Sequence, residues 1–581
     1  MKTTLSIYLA FFFCLNAIFA EKLKRPILAT TIDFLDYVFF DKEGGESFYP
    51  LEIYEKRIKS ISETGIKKLY LRVNVRGLTI YPSKLTYQYG QHERWHWQSP
   101  DEASRLIATL KKYDPCLETI RLGHKYGMEV WAWESVFEDG GVPKFVPKDK
   151  RYLPLAKKCH FDAMTEPFFL KNPDCFVMRD PKLSLPDDKV ANINQNNRGR
   201  LIKKIVLIDH VKRKNKIRFT AKDIAIEVSD DNQHFLPYNK PFYFTSSRTS
   251  DGFNTVTIDN LQIKSSYVVL KFKKRFDTMG RNVSMGSSKL NRRKQHKVYD
   301  EKGKLIYTVW TIDMQSGKGT QMPLSFVSSS AEGWDMGSRR MGFCVGEVTT
   351  DKYWYGIVEL TVPKAMKHKV AKFKELSNYK FDGFMLNLRT HCYVPDPMNY
   401  GYNPEVRKKF LNLYGKDIWK NNVDLKLLHD LRAESLANFF HKCKQLTSGR
   451  PLYISGLPPQ NWKYQQKNSP ISLSMYRRVM HLPIPYKKIF KDGSIDGVIM
   501  VGTDFSYYFT PELTGGKHIK LGVFRDTEHL LSNPPRNYNF ISDICKILAS
   551  KLDEVELYET IALTKRPNLL KKITELSSKN K

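Results

Sequence analysis

Apolar positions fall into short runs separated by amphipathic stretches, the alternation expected of a βα protein. Residues 27–32 (ILATTI) read as a buried strand, followed by an amphipathic helix around 53–64. Residues 68–74 (KLYLRVN) are the next strand. A polar loop then leads to a helix over 116–126 with Gly127 as its stop, and 128–134 (MEVWAWE) is a third strand. From about residue 141 to 350 the rhythm breaks. Short period-two runs replace it, among them 224–228 (IAIEV) ahead of a Ser-Asp-Asp-Asn turn, 255–258, and 267–272 (YVVLKF). This texture predicts an antiparallel β-sandwich. Alternation resumes at Tyr355 with a helix at 365–378, a strand at 381–388 (FDGFMLNL) and a long helix at 425–444. Further strands follow at 452–456 (LYISG), 496–502 (DGVIMVG), 520–525 (KLGVFR) and 554–559 (EVELYE).

Eight strands outside the interruption predict an α/β fold, a (β/α)8 TIM barrel with an inserted antiparallel β-sandwich domain. Residues 21–140 would supply strands one to three and residues 351–581 strands four to eight. The β-rich insertion would occupy 141–350. Closure of such a barrel places the functional site at the C-terminal ends of the strands.

Charge narrows the partners. The 581 residues carry a formal charge of +33, an excess that draws polyanions. Basic runs at 212–216 (KRKNK) and 292–297 (RRKQHK) are its densest points, although a solvated face is the plain reading of each. Lys2 followed by the apolar run 5–20 (LSIYLAFFFCLNAIFA) has the form of a signal peptide, residues 1–20, cleaved after Ala20. That run is shorter than the about 20 residues of a spanning helix, and no later run reaches this length, so no membrane span is expected. A lipid anchor on Cys14 is disfavoured by Phe11, Phe12 and Phe13 just ahead of it. The expected location is secreted or periplasmic. An exported protein meets sulfated or uronic-acid polysaccharide more readily than nucleic acid, so carbohydrate, anionic carbohydrate included, is the favoured partner. Of the eight cysteines, one (Cys14) falls in the leader, and the others show no CxxC pairing or zinc spacing. Walker, GxSxG, HExxH and dinucleotide motifs are missing, so neither metal nor cofactor is expected.

Several stretches carry a resemblance. Tyr81-Pro82-Ser83-Lys84, Tyr113-Asp114-Pro115-Cys116-Leu117 and the run from His124 to Trp133 (HKYGMEVWAW) recur in order. Phe381-Asp382-Gly383-Phe384-Met385-Leu386-Asn387, Tyr400-Gly401-Tyr402-Asn403 and Tyr414-Gly415-Lys416-Asp417 follow. Together they resemble the glycosyl-hydrolase-10-like group of secreted bacterial barrel proteins, which are similar in pattern to α-amylase-type barrels. Within the insertion, residues 227–235 (EVSDDNQHF) and Tyr267-Val268-Val269-Leu270 resemble a discoidin-like (coagulation factor 5/8 type C) sandwich spanning about 200–275. The resemblance implies a glycoside-hydrolase-like barrel carrying a module of a kind that often binds glycans.

Glycosidic cleavage needs one carboxyl to protonate the leaving oxygen and a second to act as nucleophile or to activate water. Acids at strand ends are therefore the candidates. Glu134 closes strand three between aromatic neighbours, which suits a general acid, with an ion pair to a barrel arginine as the alternative. Asp526 after strand seven and Glu559 after strand eight are its expected partners, or else salt-bridge partners of Arg525. Glu138 and Asp139 read as solvated loop residues, and Glu347 and Glu359, flanking the return from the insertion, are further acids weighed as facing the site. Asp33, Arg72, Asn74, Trp133, Asn387, Arg389, His391, Asp504 and Arg525 are candidate substrate-binding residues around the mouth. The family resemblance carries Asp where this chain has Asn387, and an amide can be neither nucleophile nor base. Either another acid serves, or the barrel binds glycan without cleaving it as a binding or surface-adhesion protein.

Overall fold

The computed structural model describes residues 26–88 (save 42, 44, 46 and 76), 100–139, 166–183, 192–194, 201–208, 220–230, 236–248, 254–272 (save 266), 297–309, 340–349, 353–388, 400–456, 482–501, 506–526, 552–558, 560–561 and 575. The leader, the two basic runs apart from Lys297, and the charged loops beyond several strands lie outside that set.

Eight parallel strands close into a barrel: β1 (Ile27–Ile32), β2 (Lys68–Arg72), β3 (Glu129–Ser135), β4 (Gly383–Asn387), β5 (Leu452–Gly456), β6 (Gly497–Val501), β7 (Lys520–Asp526) and β8 (Glu554–Tyr558). β8 pairs back onto β1, Leu28 opposite Val555. The expected (β/α)8 barrel is the fold. Helices between the strands include α1 (Phe34–Phe40), α2 (Leu51–Ser62), α3 (Pro100–Lys112), α4 (Pro115–Lys125), α5 (Pro363–Ser377), α6 (Leu425–Leu446) and α7 (Tyr486–Lys491). α3 stands where the sequence pattern suggested only a polar loop. Its proline at the first position and its run of Ala, Leu, Arg and Lys account for it.

Each strand is buried on both faces, so alternation along it sorts side chains into two cores. Leu69, Leu71, Val130, Ala132, Leu386, Ile454, Val498, Val523 and Leu557 join the layer between barrel and helices. Tyr70, Trp131, Trp133, Met385, Tyr453, Ile499, Phe524 and Tyr558 fill the lumen. The lumen is a packed aromatic plug, and two glycines make room for it. A Cβ on Gly383 would lie 2.6 Å from the Trp131 ring, and one on Gly497 would lie 2.7 Å from the Tyr453 ring. Below the rings, Lys68 and Glu554 form an ion pair that the Tyr70 hydroxyl also joins, with Lys68 Nζ 4.0 Å from the Trp131 ring centre.

A repeated aspartate locks the base of the barrel. Asp382, just before β4, accepts from the Val130 amide of β3 at 2.7 Å. Asp496, before β6, accepts from Leu452 of β5 at 2.7 Å, and Asp553, before β8, from Leu521 of β7 at 3.0 Å. Other residues that carried the family resemblance are also structural. Ser83 Oγ and the Lys84 amide both donate to Glu375 of α5. Asp114 caps α4 and accepts from the Tyr379 hydroxyl at 2.6 Å. Asn403 accepts from the Met178 amide and donates to the Phe176 carbonyl, while Asp417 takes a two-point contact from Arg407.

Between β3 and β4 in sequence lies a ten-stranded antiparallel sheet whose strands run from Asn192 to Thr349. Ile205, Leu207, Val256, Ile258 and Val298 from one half meet Ile224, Ile226, Val268 and Leu270 from the other in a core of their own. The stems leading to it belong to the barrel. Phe169, Cys175, Phe176, Val177, Ile357 and Val358 pack in the barrel's core, and Phe176–Met178 pairs with Tyr353–Val358 as a two-stranded ribbon. Glu359, weighed above as a site residue, is buried against Arg432 at 2.7 Å and is part of this support. Cys116, Cys175 and Cys443 are buried free thiols.

Candidate active site

At the C-terminal ends of the first three strands, one guanidinium gathers two acids. Asp33 follows β1, and one of its oxygens caps α1 by accepting from the Leu35 amide at 3.1 Å. Arg72 ends β2 on the lumen side, two residues above Tyr70. Its Nη1 donates to Asp33 Oδ2 at 2.9 Å and its Nη2 to Glu138 Oε2 at 2.8 Å. The guanidinium also lies 5.1 Å from the centre of the Trp133 ring, so cation–π attraction adds to the two ion pairs. Asp33, Arg72 and Glu138 are 6%, 6% and 1% exposed, and charges this deeply withdrawn from water interact far more strongly than a surface pair.

Polar groups continue the rim. Asn74 receives the Ser135 amide at 2.7 Å and returns a bond to the Ser135 carbonyl at 3.0 Å, which fixes the end of β3. The Ser455 hydroxyl, at the end of β5, donates to Asn387 Oδ1, and the same oxygen of Ser455 accepts from the Leu388 amide at 3.1 Å. Deeper in the lumen, Thr31 donates to Glu556 of β8, which is fully buried.

Glu134 requires a correction. It lies opposite Leu386 and on the same face as Val130 and Ala132, so its side chain points into the helix layer and not into the lumen. Its charged surroundings are Lys369, Lys372, Asp139 and Glu166. It therefore cannot meet an acid across the mouth. Arg525 shares the outward face of β7 with Val523, one residue out of phase with the lumen-facing Phe524. Trp133 does face the lumen but is only 4% exposed, packed against Tyr558 and under Arg72, and is part of the plug. Glu138 and Asp139 are buried, contrary to the solvated reading.

Asp33 and Arg72 are bonded to each other, and Asn74 and Asn387 both meet Ser135 at the end of β3. The backbone of Asp526 ends β7 beside Tyr558. Its side chain, with Arg389, His391, Asp504 and Glu559, lies outside the described residues. One acid was read as solvated and another escaped the sequence reading. Glu138 belongs to a loop whose direction no periodicity fixes. Glu556 had a signal: Glu554, Glu556 and Tyr558 share one face of β8, so an aromatic in the lumen implies acids beneath it.

No family model matches the chain, and no curated protein matches it in sequence. Among solved structures, the chain is similar to the catalytic domain of β-amylase from Paenibacillus polymyxa, at 9% identity and a TM-score of 0.37, over 93% of this chain and 94% of that one. It is also similar to isomaltulose synthase from Klebsiella sp. LX3, at 8% identity and a TM-score of 0.31, over 92% of this chain and 65% of that one. An α-amylase from H. orenii follows at 9% identity and a TM-score of 0.29, over 92% and 68% of the two chains. Likeness at this level says nothing about activity; the barrel itself rests on its strand order.

Proposed function

We propose that this protein is an exported glycoside-hydrolase-like barrel that acts on polysaccharide at the mouth formed by Asp33, Arg72 and Glu138. The observation carrying this reading is the pair of buried carboxylates held on one guanidinium at the C-terminal end of a closed parallel barrel. Paired carboxylates are the chemistry that glycosidic cleavage requires. Asp526 and Glu559, the acids at the ends of β7 and β8 in sequence, complete the set of candidate acids. The formal charge of +33 supports an anionic polysaccharide, and the β-rich insertion would serve as a second glycan contact.

A second reading, glycan binding or surface adhesion without cleavage, is favoured by Asn387, whose amide oxygen is occupied by Ser455 where a carboxylate would otherwise stand. Incubating the purified protein with neutral and sulfated polysaccharides separates the two. Under the enzyme reading wild type releases reducing ends, Asp33→Asn and Glu138→Gln lose release by at least about tenfold, and Glu134→Gln keeps it. Retained binding with no release from any substrate would leave the second reading. Unchanged release by both mouth variants would remove the site from the mechanism.

A further inference from the structure

Behind β3, on the side away from the lumen, three carboxylates and two ammonium groups are sealed together. Glu134 comes from the strand, Asp139 from the loop after it, Glu166 from the residue before the short helix Pro167–Lys171, and Lys369 and Lys372 from α5. None is more than 4% exposed. The contacts are shared unevenly. Lys369 reaches Asp139 Oδ1 at 2.7 Å, Lys372 reaches Glu166 Oε2 at 2.7 Å, and His368 bonds the other oxygen of Glu166 while stacking on Phe168 at 3.9 Å. Glu134 Oε2 and Asp139 Oδ2 are buried without a hydrogen-bond partner. Among the described residues, the Tyr81 phenol and the Cys443 thiol also lie near Glu134. Burial pushes both upward, so both are neutral and add no charge to the cluster.

Among the described residues, three carboxylates against two lysines leave one negative charge for a proton to balance, and a proton placed on His368, which already bonds Glu166, would leave Glu134 ionised and unbonded where an uncompensated ion is strongly disfavoured. We propose that this cluster is a proton-binding site, with one proton held on Glu134 in the folded protein at neutral pH. Glu134 is the natural carrier because no ammonium of the described residues is in bonding contact with it, whereas Asp139 holds Lys369 and Glu166 holds Lys372 and His368. The balance of burial and charge agrees. Burial raises the Glu134 carboxyl above its ordinary range against the pull of Lys369 and Lys372. Burial also works to raise Glu166, yet the Lys372 charge and the His368 hydrogen bond hold it below the usual carboxylate range.

The consequence has a definite sign. A carboxyl whose folded value is raised stabilises the fold fully below its unfolded value, and that contribution is lost as pH rises through the folded value. The cluster is then an alkali-sensitive support directly behind the loop that carries Glu138.

Glu134→Gln keeps the shape of the protonated acid and cannot ionise. The test is infrared spectroscopy of the full chain at neutral pH, with glutamate carboxyl carbons isotopically labelled, together with urea midpoints from about pH 6 to 9. A protonated-carboxyl band that shifts on glutamate labelling and disappears in Glu134→Gln is expected. So is a variant midpoint that stays level where that of wild type falls. A band unaffected by the label or by Glu134→Gln, as when His368 or Asp139 carries the proton, would overturn the proposal. So would a variant that fails to fold or is less stable throughout the range, because an ionised Glu134 would then be the required form.

Discussion

Arg72→Met is the perturbation that most directly tests how the mouth is held. The methionine keeps most of the packing against Trp133 while withdrawing the one guanidinium that Asp33 and Glu138 share. The three side chains are 7%, 7% and 1% exposed, so solvent offers little screening. Removing one partner from a buried ionic group costs about 3–5 kcal/mol, most of it the expense of burying the charges left behind. At about 1.4 kcal/mol per decade, that is roughly two to four powers of ten in the unfolding equilibrium. Lost cation–π attraction accounts for about 2 kcal/mol of it. Urea denaturation at neutral pH measures the loss, and a triple variant assigns it. Arg72→Met with Asp33→Asn and Glu138→Gln removes all three charges but retains an N-cap on α1, since Asn caps as well as Asp. Most of the lost stability should return in the triple variant. If the triple variant is as unstable as Arg72→Met alone, the loss comes from packing, and the electrostatic account of the mouth fails.

Two further outcomes follow from the barrel and its surroundings. Gly383→Ala forces a methyl to within 2.6 Å of the Trp131 ring, and overpacking of this kind should cost about 1–3 kcal/mol in a denaturant melt; an unchanged midpoint would mean that the plug yields easily. The Asp417 carboxyl, bonded at both oxygens by Arg407, should titrate at about 2 by NMR and return toward 3.8 in Arg407→Gln, its stabilising contact persisting above the unfolded value and fading as pH falls toward 2.

The sequence pattern carried the architecture further than the site. Long apolar runs such as LYISG and GVIMV announce strands buried on both faces, and eight of them with helices between close in only a few ways. The same property hides orientation. In a strand exposed on one side, polarity marks the outward residues; in EVWAWES both faces are apolar, and Glu134 looks as well placed as Trp133. Only the size of the side chains separates the faces. Two tryptophans, two residues apart, belong in the lumen beside glycines, which turns the intervening Val130 and Ala132, and hence Glu134, toward α5. The motifs behind the family resemblance were legible for a related reason: Asp114, Asp382, Asn403 and Asp417 hold backbone and helix ends in place, so they report the scaffold and not its chemistry. Glu138 sits past the end of β3, where the chain's course is set by Asp139 gripping Lys369, a contact 230 residues away in sequence.

The latch from Asp382 to the Val130 amide joins residues 252 positions apart, and it closes the base of the barrel independently of whatever the chain does in between. At the other side of the same gap, Met178 and Tyr353 are direct cross-strand partners in the ribbon. A chain cut just beyond this ribbon and rejoined by a tight turn would still present every strand of the barrel in order. The long excursion is thus a graft on a finished scaffold, one that could be exchanged or lost over time while the ring beneath it kept its shape.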